Sequence, residues 1–99
     1  METLAGKTAF ITGGSTGIGL GMATTFARHD MNVVITDIRD DALTSAEQHL
    51  RQITERVLTL NVDSTDLDAL ASAAKAVERT FGPLHLLCNN AGVTGGAKV

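Results

Sequence analysis

Apolar positions in this chain fall into two kinds of grouping that alternate. Thr8-Ala9-Phe10-Ile11-Thr12 is a short β-prone run ended by Gly13-Gly14, which predicts a buried strand. From Gly17 to about His29 there is no proline, and Ile18, Met22, Ala23, Phe26 and Ala27 recur at helical spacing. Asn32-Val33-Val34-Ile35-Thr36 predicts a second strand, apolar as strands covered on both faces are. Leu43, Ala46, Leu50 and Ile53 follow at spacings of 3, 4 and 3, one face of a second helix. Arg56-Val57-Leu58-Thr59-Leu60 predicts a third strand. Leu67, Leu70, Ala74, Val77 and Phe81 mark a third helix, with Ser64 or Thr65 as its N-cap and Gly82-Pro83 as its stop. Leu84 to Cys88 predicts a fourth strand, after which Asn89-Asn90-Ala91-Gly92 opens a loop.

The predicted order is β-α-β-α-β-α-β. Parallel strands need such crossovers, and right-handed ones are strongly favoured, so the fold class is α/β with an open, doubly wound parallel sheet. In the Rossmann-type version the strands lie in the order 3-2-1-4, with a crevice where the first and fourth part. That makes the chain a partial sheet of this type, one domain over residues 1–99. A fourth strand left as an open edge predicts self-association with another chain.

Composition narrows the function classes. Apolar residues are 43% of 99 and charged residues 19%, the balance of a water-soluble protein with a core. A net charge of −3 with no basic run leaves no electrostatic footprint for nucleic acid or anionic lipid. No apolar stretch approaches the ~18 residues of a membrane span, and the start lacks the character of a signal peptide. The single cysteine fits a reducing compartment, so a cytoplasmic location is expected. The chain has no Tyr and no Trp, and therefore no phenol for acid–base work.

The segment Thr12-Gly13-Gly14-Ser15-Thr16-Gly17-Ile18-Gly19 joins the first strand to the first helix. Glycine there permits a tight turn and lets a ligand approach the backbone. The helix starting near Gly17 points unpaired N–H groups and its positive dipole end into the crevice, where an anion gains roughly 0.3–1 kcal/mol. No register satisfies G-x-G-x-x-G, and no Lys precedes a Ser or Thr as in a P-loop. Asp37 lies twenty residues beyond Gly17, at the end of the second strand. In this fold a carboxylate there accepts hydrogen bonds from the adenosine ribose and repels a 2′-phosphate. Two unit charges ~4 Å apart interact by about 4 kcal/mol at a dielectric of 20, so NAD is favoured over NADP. Arg39 softens that preference, and a solvated turn carboxylate among Arg39, Asp40 and Asp41 is the plainer reading of the same residue.

Taken together, Thr12-Gly13-x-x-x-Gly17-Ile18-Gly19, Asp37, Asn61-Val62 and Asn89-Asn90-Ala91-Gly92 resemble the short-chain dehydrogenase/reductase family across nearly the whole chain. The resemblance implies hydride transfer between a nicotinamide cofactor and an alcohol or carbonyl substrate. It assigns the pyrophosphate to the glycine turn, with Ser15, Thr16 and the Ile18 backbone nearby. Asn61 and the Val62 backbone would read the adenine. Asn89, Asn90, Ala91 and Gly92 would lie beneath the nicotinamide ribose, with the two asparagines serving equally as sheet buttresses. Many members have Asp at the place of Asn61, whose carboxamide can still accept a hydrogen bond.

The departure from the family pattern is large. Its chemistry rests on a Ser, a Tyr-x-x-x-Lys pair and an Asn, and this chain has no Tyr; four residues before Lys98 stands Thr94. The expectation is therefore the cofactor half of a short-chain oxidoreductase, meeting a small alcohol or ketone only when a catalytic part completes it. A non-catalytic dinucleotide-binding or interaction module is the alternative. A methyltransferase-type domain also uses a glycine turn and an acid after the second strand, but Asn89-Asn90-Ala91-Gly92 argues against it. His29, His49 and His85 lack metal-ligand spacing, Cys88 reads as a small buried hydrophobe, and Met22 and Met31 as core filler.

Overall fold

The computed structural model describes residues 3–90. Four strands and three helices alternate along them: β1 (Thr8–Thr12), α1 (Gly17–Arg28), β2 (Asn32–Asp37), α2 (Asp40–Arg51), β3 (Val57–Asn61), α3 (Leu67–Phe81) and β4 (Leu86–Asn89). All three strand pairings are parallel, and the sheet order is β3-β2-β1-β4. This is the Rossmann-type arrangement that the alternation of apolar runs predicts.

Alternation of side chains across the two central strands feeds both layers. Ile11, Val33 and Ile35 point to one face, where they pack with Ala23 and Ala27 of α1 and with Leu43, Ala46 and Leu50 of α2. Phe10 and Val34 point to the other, against Ala73 and Val77 of α3. Every residue of β1 and β2 is buried. The outer strands are more open, and Leu87 of β4 is 60% exposed. Met31 is buried beside the sheet, while Met22 and Cys88 are partly buried against the α1–α2 side.

Element ends differ from the sequence expectation in instructive ways. β2 runs one residue further, because Asp37 is paired with Asn61 across the ladder. β3 and β4 begin later than expected, at Val57 and Leu86, the first residues of each strand in register with its neighbour. The N-cap of α3 is Asp66, whose carboxylate accepts the Ala69 N–H at 3.1 Å, in place of Ser64 or Thr65. Thr65 instead donates from both its N–H and its hydroxyl to Asp63. Leu67, expected on the buried stripe of α3, is 77% exposed, and Ala73 takes the buried position. Gly82 ends α3 with φ +87°, the left-handed backbone that glycine enters without strain.

The turn after β1 lies close against β2. The Gly14 N–H donates to the Thr36 carbonyl at 3.1 Å. A Cβ at Gly14 would fall 2.6 Å from Ile35 Cγ2, 2.8 Å from Ile35 Cβ and 3.1 Å from the Ile11 carbonyl oxygen. Ile35 is fully buried and cannot retreat. Gly14→Ala is therefore expected to cost about 1–3 kcal/mol through overpacking. A lowered urea midpoint checks this; an unchanged midpoint would mean that the turn yields freely.

Candidate functional site

The carboxyl ends of β1, β2 and β3 open onto a cleft of about 600 Å³. One wall is the turn leading into α1, with Gly13, Thr16, Gly17 and Ile18; a second is the end of β2, residues 36–39. Residues 62–65 and Asn90 complete it. Such crevices outside the strand ends, at the point where the strand order reverses, are where open α/β sheets take ligands.

At the turn, Gly13 and Gly17 have φ of +65° and +58°, left-handed values that bend the chain back before α1. The Thr16 side chain makes no hydrogen bond to cap α1, and the first turn carries no acidic residue. The leading N–H groups of the helix are thus left for an anion. Nothing lies within 4 Å of where a Gly17 Cβ would sit, so the approach to them is clear. Gly19 has the opposite environment: a Cβ there would fall 2.3 Å from the Gly13 carbonyl oxygen and 2.9 Å from Asn90 Nδ2.

Across the cleft, the Asp37 carboxylate is 7% exposed and closely surrounded. Its Oδ1 accepts from the Ile38 N–H at 2.8 Å and from Arg39 Nε at 3.1 Å. Its Oδ2 accepts from the Ser15 hydroxyl and from Arg39 Nη2, the latter at 3.0 Å. Burial alone would raise the pKa of this acid, but the hydrogen bonds from Arg39, Ser15 and the backbone outweigh it and hold the carboxyl at about 2. Thr36, next to it, has a buried hydroxyl oxygen without a hydrogen-bond partner among the described residues.

The residues singled out in the sequence do not all reach the cleft. Gly13, Thr16, Gly17, Ile18, Asp37, Val62 and Asn90 line it. Ser15 is buried behind it, holding Asp37. Gly19 packs under the turn, and Asn90 Nδ2 donates to the Gly13 carbonyl at 3.2 Å. Asn89 Oδ1 accepts the Thr12 hydroxyl at 3.0 Å, a contact between neighbouring strands. The Asn61 amide turns away, donating to Asp40 Oδ1 at 2.6 Å and the Ile38 carbonyl at 3.3 Å. Ala91 and Gly92 lie outside the described residues. Thr36, Ile38, Asp63, Ser64 and Thr65 also line the cleft. Their signal was positional: each stands within a few residues of the carboxyl end of β2 or β3.

Chemically, the cleft offers uncapped N–H groups on one wall, a firmly ionised carboxylate on another, the Arg39 guanidinium bridging the two, and apolar surface beside them. Ile18 and Ile38 are 72% and 63% exposed along it. An elongated ligand with an anionic centre and a hydroxylated, partly flat end fits these features, which a dinucleotide combines. Among the described residues no group of three or more His, Cys, Asp or Glu is arranged to hold a metal ion. None of the described helices is long and apolar enough to cross a membrane.

Fold and cleft define an α/β protein of Rossmann type. The sequence model of the short chain dehydrogenase family matches residues 7–99, and the chain belongs to that family. It is 40% identical over 93 residues to oxidoreductase UcpA of Salmonella typhimurium, covering 94% of this chain and 35% of that protein. The apo form of LigO from a Sphingobium strain superposes with a TM-score of 0.84 at 44% identity, over 89% of this chain and 33% of that one. L-sorbose reductase from Gluconobacter frateurii, solved with NADPH and L-sorbose, gives 0.80 at 32% identity over 88% and 34% of the two chains. Xylitol dehydrogenase bound to NAD+ gives 0.82 at 27% identity over 87% and 33%. The chain thus spans about a third of the length of the relatives it matches.

Two expectations follow from this geometry. Asp37 has a folded pKa below its ordinary 3.8, so its stabilising effect is complete above about pH 4 and is lost as pH falls through about 2. Asp37→Asn is therefore expected to flatten the acid limb of the stability curve by about 2 kcal/mol between pH 5 and pH 2; parallel wild-type and variant curves from urea unfolding would contradict it. Gly19→Ala is expected to displace the turn and lower stability by about 1–3 kcal/mol, read as a shift in the urea midpoint.

Proposed function

We propose that this chain is the cofactor-binding part of an NAD(P)-dependent oxidoreductase that moves hydride between a nicotinamide and a small alcohol or ketone. The observation that carries the reading is the pairing, across one cleft, of an uncapped helix N-terminus with a buried, ionised Asp37. The dinucleotide supplies the hydride chemistry; the chain's own groups bind and orient it. Backbone N–H groups at Gly17 and Ile18 take the pyrophosphate, with Gly13 giving room and Thr16 at the rim. Asp37 accepts the adenosine ribose hydroxyls, with Ser15 fixing the carboxylate from behind. Ile38 and Val62 offer apolar surface to the adenine. Asn90 acts as a buttress of the turn through Gly13, Gly19 fits beneath that turn, and Asn89 ties β4 to β1. Asn61, with its amide on Asp40, reaches the adenine only if that contact breaks.

NAD is the preferred cofactor in this reading, since the Asp37 charge repels a 2′-phosphate. With no Tyr among its 99 residues, the chain lacks the phenol that the family's proton transfer uses. We propose that substrate binding and acid–base chemistry come from residues beyond these. The cytoplasm is the proposed location. Among the described residues β4 pairs with β1 alone, so its other edge is open, and Leu86 and Leu87 are 39% and 60% exposed there. We propose that the 99-residue chain self-associates along that edge.

Titration of the chain with NAD by calorimetry tests the main reading. Asp37→Ala is expected to weaken NAD binding roughly tenfold or more, as hydrogen bonds to a charged group are lost, and to narrow the gap between NAD and NADP. Equal affinities of variant and wild type for both would remove Asp37 from the site. Sedimentation of the chain is expected to show association that Leu87→Lys reduces; a thermally robust monomer would contradict the edge proposal.

A further inference from the structure

Both oxygens of the Asp37 carboxylate are fully engaged. Oδ1 accepts from the N–H groups of Ile38 and Arg39 and from Arg39 Nε, at 2.8, 3.3 and 3.1 Å. Oδ2 accepts from the Ser15 hydroxyl and from Arg39 Nη2. A carboxylate has about four lone-pair sites, so these donors saturate it and leave no place for a further hydroxyl. Of the donors, the two backbone N–H groups are fixed where β2 passes into α2, and Ser15 is buried. The Arg39 side chain is different, being 54% exposed. It is the one partner with room to leave.

Its position also works against it. Arg39 is itself the N-cap residue of α2, and its guanidinium reaches over the cleft to Thr16 Oγ1, the N-cap of α1, at 3.2 Å. A cation there sits near the positive ends of two helices, where an anion is favoured. The Asp37 carboxylate and the Thr16 hydroxyl hold it in place against that preference.

We propose that Arg39 is a latch on the seat: its guanidinium occupies the position on Asp37 that a ribose diol needs, and it swings out before an adenosine ribose binds. The proposal rests on reading the cleft as an adenine-dinucleotide site. The latch lowers apparent affinity by the fraction of molecules in which it is open. A half-exposed ion pair of this kind holds the closed form by roughly fivefold. An unphosphorylated ribose competes with the guanidinium for Asp37, whereas a 2′-phosphate brings its own acceptors to it. Arg39 thus opposes one cofactor class and accommodates the other, and its removal moves the two affinities in opposite directions. A residue that merely touched the ligand would weaken both.

The test is calorimetric titration of the 99-residue chain, and of Arg39→Met and Arg39→Gln, with ADP-ribose and with its 2′-phosphate. Both variants are expected to bind ADP-ribose roughly fivefold more tightly and the 2′-phosphate form roughly tenfold more weakly. Unchanged or weaker ADP-ribose binding in both variants overturns the latch and leaves the cleft reading standing. Absence of ADP-ribose binding by wild type and variants alike overturns the cleft reading, and the latch with it. A cooperative urea transition in each variant, at a midpoint lowered only by the lost ion pair, confirms that the variants compared are folded.

Discussion

The arrangement of this molecule turns on one carboxylate. Asp37 is the last residue of β2, and its side chain ties together three segments distant in sequence or direction: the turn before α1 through Ser15, the start of α2 through Arg39, and its own strand end through Ile38. An ionised group so little exposed persists because each oxygen has donors. Remove them and the charge becomes costly; remove the charge and the donors lose their focus. The turn before α1 and the end of β2, two walls of the cleft, are therefore held together by a group bonded to both.

Much of this was legible in the residue order. β1 and β2 were readable because both are covered on two faces and so consist of unbroken apolar runs. The helices were readable from their 3–4 spacing, which has to match the sheet surface. What escaped had a local cause. Asp66 caps α3 where Ser64 and Thr65 looked equally suitable, because Thr65 is already bound to Asp63. Leu67 looks like the first residue of the buried stripe but, as the opening residue of α3, is left exposed. The outer strands were blurred at their starts, since an edge strand is defined by its one neighbour more than by its own composition.

The cleft followed a similar division. Spacing from the glycine turn to Asp37 identified two walls, because that distance is set by one helix and one strand. Asn61 closes β3 opposite Asp37, one residue beyond the expected end of that strand at Leu60, and its amide faces Asp40. No pattern in the residue order specifies a rotamer, and the competing carboxylate stands 21 residues away. The tight environments of Gly14 and Gly19 are likewise properties of packing, visible only once β2 and Asn90 are beside the turn.

The two sides of the sheet carry unequal loads. Nine buried residues form the cluster beneath α1 and α2, and four form the one beneath α3. The last strand buries none of its residues, and α3 fully buries only Ala73 and Val77. Regions with little apolar area removed from water open at lower free energy than the rest. Amide protons of β4 and α3 should consequently exchange with solvent through local opening, while those of β1 and β2 wait for global unfolding. The cleft walls built on β1, β2 and α1 would outlast the loss of that half, which carries away Asn90 and loosens residues 62–65.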